Sequence, residues 1–269
     1  MFREGLNALD ELDRSLIQAL RVDGRAPFNR IAAVLETSPQ TIARRYQRLR
    51  REVSLRVVGV ADPHCFGETQ WLLRVVASPV SAHPLAHALA KRPDTSWVKL
   101  MSGGTEITTI VGTATAATGH PLLLRDLLRT AEINSISAHC LLHTYLGRPT
   151  SRQWAIDTLT EEQQRQLRPP NHFGLDREQP RQTVTDTDLD LLKVLQHDGR
   201  ADYSVLAVAT GWTAATVARR LARLRASKAL FFDIEIDSRA LGVMTQAMLW
   251  LSVAPAHLVE VATRLAGPQ

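Results

Sequence analysis

The chain has 269 residues, of which 45% are hydrophobic and 22% are charged, which is typical of globular proteins with two or three domains. The net charge of +5 is a modest basic excess, which is compatible with nucleic acid, a membrane surface or neither. The first ten residues carry charges where a signal peptide needs an apolar core, and no apolar run approaches the ~18 residues of a membrane span. The two cysteines have neither metal-site spacing nor a disulfide pattern. We therefore expect a reduced, cytoplasmic protein without membrane contact.

Residues 9 to 50 are predicted to form three short helices. Gly24 supplies a stop for the first helix, and Pro27 opens the second. Ser38 followed by Pro39 is a strong N-cap and first-turn pair for the third.

The third helix, Thr41 to Arg50, is amphipathic, and its polar side is basic. It contains no acidic residue, although a solvated helix normally mixes both signs of charge. Arg44 and Arg48 are four residues apart and share one face. The apolar stripe on another face consists of Ile42, Tyr46 and Leu49. A basic surface helix without function is the simplest alternative interpretation.

The same pattern returns without a gap 175 positions later, in Thr216 to Arg225. The second copy has Gly211 in the turn before its third helix, where the first copy has Glu36. Ala214 and Ala215 replace Pro39 and Gln40, so we expect the two copies to differ in what they contact. In both copies, the arrangement is typical of a helix-turn-helix.

From Leu55 the hydrophobic period changes to two, as in strands. The predicted order after the strand at 55–61 is β-α-β-β-α-β, which is typical of a ferredoxin-like α+β sandwich. Its elements are strands at 71–77, 97–101, 106–111 and 133–146, and helices at 84–92 and 121–131.

Residues 148 to 183 are rich in proline and are interpreted as a loosely packed linker with one short helix. After the second helix-turn-helix, strands are predicted at 231–237 and 247–253, with a helix at 257–265. Four elements of a second sandwich are absent. We therefore expect residues 229–269 to be the start of an incomplete effector-type domain, completed by a partner or by sequence outside this chain.

These motifs resemble the Lrp/AsnC family of feast/famine transcription regulators, in a tandem form. The motifs are an Asp-Gly-Arg turn, a Ser-Pro-x-Thr-x-x-Arg-Arg helix and the β-α-β-β-α-β order. The resemblance implies helix-turn-helix (winged-helix-like) DNA-binding domains at 9–54 and 184–228, and a ferredoxin-like effector and dimerisation domain at 55–147. The family usually has glycine just after the recognition helix. Here Val53-Ser54 and Lys228-Ala229 occupy that region.

Double-stranded DNA is accordingly the expected macromolecular partner. Gln40 suits adenine and Arg44 suits guanine through paired hydrogen bonds, whereas Arg45 and Arg48 could anchor phosphates. The predicted DNA-binding residues are Gln40, Thr41, Arg44, Arg45, Arg48, Thr216, Arg219, Arg220 and Arg223.

The resemblance also implies a small effector, commonly an amino acid, bound in the loop between the second and third strands of the sandwich. Here that loop reads Ser102, Gly103, Gly104, Thr105 and Glu106. The glycine N–H groups could hold a carboxylate and Glu106 an amino group, although the family has aspartate there. A plain type I′ hairpin turn is the alternative.

Neither a catalytic residue, a metal site nor a cofactor is predicted. The histidine pairs 83/87 and 139/143 have no third ligand at a suitable spacing. Sirohaem decarboxylases share this two-part architecture, so an enzyme is the main alternative to a regulator, and a degenerate interaction module is a third. Acid-free arginine helices favour the regulator, which we expect to form a homodimer or larger homo-oligomer.

Overall fold

The structure, a computed structural model, describes residues 9–62, 65, 68–92, 94–114, 133–143, 158–169, 185–243, 245 and 247–266. Its internal contacts divide the chain into two units, residues 1–61 with 145–269, and residues 62–144. In chain order the elements are α1 (Glu11–Val22), α2 (Phe28–Val34), α3 (Pro39–Glu52), β1 (Arg56–Ala61), β2 (Glu68–Ala77), α4 (Pro79–Ala90), β3 (Thr95–Met101), β4 (Glu106–Ala114), β5 (Ile133–Leu141), α5 (Glu161–Leu167), α6 (Asp186–His197), α7 (Tyr203–Thr210), α8 (Ala214–Ala226), β6 (Leu230–Glu235) and α9 (Leu258–Ala266). None of the helices in these ranges has the length and apolarity to cross a membrane.

The first unit contains two three-helix bundles, which we call the first head (α1–α3) and the second head (α6–α8). The last helix of each head, α3 or α8, is called its recognition helix here. The turn before each of them holds one residue in the left-handed region, Glu36 at φ 51° and Gly211 at φ 70°. Both copies therefore make the predicted helix-turn-helix, although only the second has the glycine that this conformation favours. Just after the recognition helices, Ser54 and Lys228 are also left-handed, at φ 55° and 61°.

The two heads are joined by a two-stranded antiparallel sheet made of β1 and β6. Arg56 pairs with Glu235 at one end of the ladder, and Ala61 with Leu230 at the other. Buried side chains from both strands, including Val57 and Phe232, close the contact beneath the helices. The strand that leaves each head thus pairs with its counterpart from the other head.

The segment interpreted as a loosely packed linker is tightly bound to the first head over residues 158–169. Leu159 and Leu167 are buried, and the Gln18 side-chain oxygen accepts the backbone N–H groups of Thr158 and Leu159 at 2.7 and 2.8 Å. Helix α5 also contacts α1 and α2. The prediction of loose packing is therefore wrong here, because this segment carries its own apolar residues and finds acceptors on the head.

The second unit contains a four-stranded antiparallel sheet in the order β3-β4-β2-β5, with α4 packed against it. This order is the one that a β-α-β-β-α-β chain adopts in a ferredoxin-like sandwich, so the predicted fold class is confirmed. The predicted helix at 121–131 lies outside the described residues. The core on the helix side consists of Leu73, Val75, Ala77, Ala82, Leu89, Ile107 and Val111.

Two element predictions need correction. Helix α4 begins at Pro79, five residues earlier than predicted, because Ser78 caps it and Pro84 is accommodated inside it. Residues 247–253 do not form a strand. A strand needs a hydrogen-bonding neighbour, and the described part of the chain places none beside this segment. The helix predicted at 257–265 is present as α9.

Candidate nucleic-acid interface

Both recognition helices, α3 and α8, begin at a hydroxyl N-cap and bury the predicted apolar stripe. Ser38 Oγ accepts the N–H of Thr41 at 3.1 Å, and Thr213 Oγ1 accepts that of Thr216 at 3.2 Å. The buried stripes are Ile42, Tyr46 and Leu49 on α3, and Val217, Leu221 and Leu224 on α8. Each cap fixes where its helix begins, and each stripe fixes which side faces away from the bundle.

On α3, Gln40 and Arg44 are exposed to solvent. Thr41 is half-buried, and its hydroxyl oxygen lies 2.9 Å from that of Ser38. These predicted DNA-contacting residues occupy the first two turns of the helix, where side chains of a helix-turn-helix reach base edges. The amide of Gln40 and the guanidinium of Arg44 are therefore available to an outside partner.

Arg45 and Arg48 bind carboxylates at the first helix of the head, although Arg48 shares a helical face with the exposed Arg44. Arg45 Nη1 is 2.5 Å from a carboxylate oxygen of Asp10 and 2.9 Å from one of Asp13. Arg48 donates to the other oxygen of Asp13, which is only 1% exposed. The hydrogen bond with Asp10 is the main cause of the raised pKa of Arg45. These two arginines attach α3 to α1 and have protein carboxylates as partners.

In the second head, one arginine of the recognition helix binds a carboxylate of the bundle and two are exposed. Arg220 makes two hydrogen bonds to Asp188, at 2.6 and 2.5 Å, and so attaches α8 to α6. Arg219 and Arg223 are exposed, and Thr216 is half-buried beside the cap hydroxyl of Thr213 at 3.0 Å. Arg223 corresponds to Arg48 of the first head but is exposed, so at this position only the second head offers a guanidinium to an outside partner.

Asp188 is fully buried, and burial alone would raise the pKa of its carboxyl. The hydrogen bonds from Arg220 and from Thr185 outweigh burial, so the pKa lies below its ordinary value. The same contact raises the pKa of Arg220. The pair therefore stays charged at neutral pH and provides an internal counter-charge for the recognition helix.

The predicted effector loop in the second unit has four residues rather than two. Met101 pairs with Glu106, and the intervening residues contain three left-handed positions, Ser102 at φ 53°, Gly103 at φ 67° and Gly104 at φ 92°. The type I′ alternative is therefore wrong, since that turn would pair residue 102 with residue 105. Thr105 closes the loop, because its hydroxyl donates to the carbonyl oxygen of Ser102 at 2.8 Å.

Glu106 is bound inside the second unit. Its two carboxylate oxygens accept from Arg74 at 2.8 and 3.1 Å, and the hydroxyl of Ser102 lies 3.4 Å away. The Arg74 hydrogen bond is the largest cause of the lowered pKa of Glu106. An amino group that approaches Glu106 would therefore share this carboxylate with Arg74.

The sequence interpretation did not identify a pair of arginines that hold the heads together. Arg25 of the first head donates to two backbone carbonyls of the second, at 2.6 and 3.0 Å, and Arg200 makes the reciprocal bonds at the same distances. The acceptors are the carbonyl oxygens of Gly199, Ala201, Gly24 and Ala26. We call this contact the arginine clasp. The signal for it in the sequence is the repeated Asp-Gly-Arg-Ala, which was interpreted only as a helix stop and as a motif of the family.

The contact between the heads is closed on one side and open on the other. On the closed side Arg225 forms an ion pair with Asp23 at 2.9 Å. On the open side the corresponding Arg50 lies over the ring of Tyr46 instead, beside a groove of about 880 Å³. The groove is lined from the second head by residues that include Lys193, His197, Asp198, Arg200 and Asp202. Leu221 stands where the first head has Tyr46, so Arg225 has no ring at that position.

The family model of the AsnC-type helix-turn-helix domain matches residues 9–50 and 184–225. Both matches fall on the heads, which confirms the resemblance and its tandem form. An uncharacterized HTH-type transcriptional regulator of Pyrococcus abyssi is 28% identical over 101 residues, which are 37% of this chain and 64% of the relative. HTH-type transcriptional regulator FL11 of Pyrococcus horikoshii is 32% identical over 90 residues, 32% of this chain and 58% of the relative. The chain thus spans less than two thirds of the length of these curated relatives.

Among solved structures, the siroheme decarboxylase NirDL in complex with an iron-uroporphyrin III analogue has a similar fold over a long part of the chain. The TM-score is 0.52 at 11% sequence identity, and the match covers 84% of this chain and 66% of that one. At this identity the likeness concerns the fold alone.

Proposed function

This chain carries two AsnC-type helix-turn-helix domains, and we propose that it is a sequence-specific DNA-binding transcriptional regulator modulated by a small effector such as an amino acid. The observation that carries the proposal is the pair of capped recognition helices. Each has exposed polar or basic side chains in its first two turns, and one or two further arginines that pair with a buried carboxylate of the bundle.

In the first head, Gln40 and Arg44 would read base edges in the major groove. An amide pairs with the N6 and N7 atoms of adenine, and a guanidinium with O6 and N7 of guanine. Thr41 and the backbone N–H of Gln40, at the start of α3, would contact a phosphate. Arg45 and Arg48, predicted as phosphate anchors, would act mainly by holding α3 at its angle to α1, since Asp10 and Asp13 already bind them.

In the second head, Arg219 and Arg223 would make most of the contacts. Alanine replaces Gln40 at residue 215, so this head lacks the amide that suits adenine. Thr216 would take the phosphate-contacting position of Thr41, and Arg220 would hold α8 against Asp188. The two heads would therefore prefer different half-sites.

For the effector, the proposal rests on the four-residue loop of the second unit. Three successive left-handed residues turn the backbone sharply at 102–104, and such turns can direct N–H groups towards an anion. Thr105 and the Glu106–Arg74 pair border this loop, so a zwitterion would meet both signs of charge there. Association of chains through this unit is also proposed, and sedimentation of the purified protein would test it.

The test of DNA binding is selection of duplexes from a random pool, followed by titration of the selected sequence at several salt concentrations. Arg44→Ala is expected to weaken binding by ~1–3 kcal/mol and to relax the preference at one base pair. Lys193→Ala is the matched control, because it removes an exposed positive charge from α6, outside the recognition helices. An Arg44→Ala protein that binds as tightly and as selectively as the Lys193→Ala protein would refute the assignment.

The enzymatic alternative has its own test. Purified protein mixed with sirohaem would show a shifted absorption band and turnover if the chain were a decarboxylase, with no dependence on DNA. Absence of a spectral change, together with salt-dependent selective DNA binding, would support the regulator.

A further inference from the structure

The arginine clasp relates the two heads by an internal two-fold axis. Residue n of the first head corresponds to residue n + 175 of the second, so Arg25 and Arg200 are counterparts. Each donates to the other head, and both sets of bonds measure 2.6 and 3.0 Å. A contact whose two halves are equivalent in this way is isologous, the kind that two-fold symmetry generates between identical subunits.

The β1–β6 ladder indicates the same axis independently. Val58 pairs with Asp233, and Asp233 is the residue of the second copy that corresponds to Val58. On either side of this pair, Val57 lies opposite the counterpart of Gly59, and Gly59 opposite the counterpart of Val57. An antiparallel ladder centred on a pair of counterparts is reproduced by a half-turn about that pair.

Close packing at the clasp fixes the heads at this axis. A Cβ atom on Gly24 would lie 2.8 Å from side-chain atoms of Val57 and Phe232. On Gly199 it would lie 3.0 Å from the backbone of Val57. Both turns therefore approach the ladder as closely as only glycine permits.

The same two-fold axis relates the two recognition helices. Each is bound to the helix that precedes a turn of the arginine clasp, at Gly24 or at Gly199. Asp13 ties α3 to α1, which ends just before Gly24, and Asp188 ties α8 to α6, which ends just before Gly199. The half-turn that exchanges the two clasp turns thus also exchanges α3 and α8. The first turns of α3 and α8 are therefore also related by this half-turn.

We propose that a single chain reads one operator that consists of two unequal half-sites in inverted orientation. This inference rests on the proposed function and adds the geometry of the DNA and the number of chains that read it. The inverted orientation follows from the axis, because operator symmetry mirrors protein symmetry in helix-turn-helix pairs. The inequality follows from α8, which has alanine at the counterparts of Gln40, Gln47 and Arg51.

One chain is sufficient because both heads belong to the same polypeptide. When one head binds, the second half-site becomes an intramolecular target, and such linkage raises overall affinity by roughly 10²–10⁴-fold over a single site. A conventional helix-turn-helix dimer obtains the same gain only by association of two chains.

The experiment compares duplexes that carry the two selected half-sites in inverted, direct and everted orientation, at spacings near one helical turn, with each half-site alone. Affinity is measured by fluorescence anisotropy with the full chain, and native mass spectrometry counts chains per duplex. We expect the inverted arrangement to bind about 10²-fold more tightly than the direct one. At saturation we expect a one-to-one ratio of chains to duplexes, whether or not chains associate through the second unit.

Equal affinity for inverted and direct arrangements would overturn the inference, as would two chains per duplex with one head each. Failure of the chain to bind any of these duplexes would instead overturn the proposed function. The two failures are therefore distinguishable.

A variant of the arginine clasp tests whether this contact causes the preference for inverted half-sites. The double substitution Arg25→Gln and Arg200→Gln is expected to keep binding to single half-sites and to lose most of the inverted preference. If circular dichroism shows this protein to be unfolded, Arg200→Lys is used, which keeps the charge but cannot bridge two carbonyls with one planar group. An unchanged inverted preference in a folded clasp variant would contradict the role of the clasp, and the orientation series on the unmodified chain decides the inference itself.

Discussion

The ion pair between Asp188 and Arg220 is expected to be the strongest single polar contact that holds the second recognition helix in place. The Asp188 side chain is 0% exposed and that of Arg220 is 18% exposed. Arg220→Ala would leave a buried carboxylate without its cation, a change that typically costs about 3–5 kcal/mol. Thr185 still donates its N–H and hydroxyl to Asp188, at 2.7 and 2.8 Å, so we expect the lower end of that range.

Native-state hydrogen exchange of the amides in α6 and α8 measures this loss where it occurs. A change of about 3 kcal/mol corresponds to roughly a 10²-fold fall in protection. Arg219→Ala is the matched control, since it removes the same side chain one position away, from a surface site, and should change protection by less than about 0.5 kcal/mol. Equal exchange rates in Arg220→Ala and Arg219→Ala would refute the stabilising role of the ion pair.

The pH dependence of stability provides a second test of the ion pair between Asp188 and Arg220. The pKa of Asp188 is lower in the folded chain than in the unfolded one, so the pair contributes its full stability above the unfolded pKa. That contribution is lost as pH falls through the folded pKa. We therefore expect protection of α6 to fall as pH is lowered below about 4 in the unmodified chain, with a flatter profile in Arg220→Ala.

Two further predictions concern backbone strain and the docked segment. Glu36→Gly should raise the stability of the first head by up to about 1 kcal/mol, and Gly211→Ala should lower that of the second by a similar amount, because both positions have a left-handed backbone. Chemical denaturation of each variant measures the sign of the change. Changes of the same sign in both variants would contradict this explanation. Gln18→Ala should release residues 158–167 and speed their proteolysis, because its oxygen accepts three hydrogen bonds from that segment, with exposed Gln40→Ala as the control. Unchanged cleavage rates would show that the remaining contacts, including the hydrogen bonds from Arg30 to the carbonyl oxygens of Gln166 and Arg168, are sufficient to hold the segment.

The helices of both heads could be predicted because their signals are local. A hydroxyl cap, a proline in the first turn and an apolar stripe at helical spacing all act within one or two turns. The turn at Glu36 was harder to predict, since its left-handed backbone is imposed by the packing of the bundle and not favoured by the residue itself.

The roles of the individual arginines could not be predicted from spacing. Arg44 and Arg48 share a helical face by sequence, yet one is exposed and the other binds Asp13, which lies 35 residues away in the chain. Helical periodicity places side chains on a face but does not say which neighbouring helix that face meets. Only the packed bundle separates candidate DNA contacts from internal ion pairs.

Interactions between distant segments account for the remaining differences. The segment at 158–169 has the composition of a linker, and its attachment includes hydrogen bonds to Gln18, about 140 residues earlier. The segment at 247–253 is a short apolar run of the kind found in strands, and such a run alone does not provide a neighbouring strand. In both cases the decisive partner is remote in sequence.

The pairing of β1 with β6 also has a consequence for synthesis of the protein. Arg56 meets Glu235, 179 residues later, so β1 emerges from the ribosome long before its partner exists. At about 5–20 residues per second, roughly 9–36 s pass with this edge unpaired. During that interval β1 of one nascent chain can pair with β6 of a neighbour on the same messenger, which would exchange heads between chains. The order of synthesis thus gives nascent chains an opportunity to exchange heads before β6 of the same chain is available.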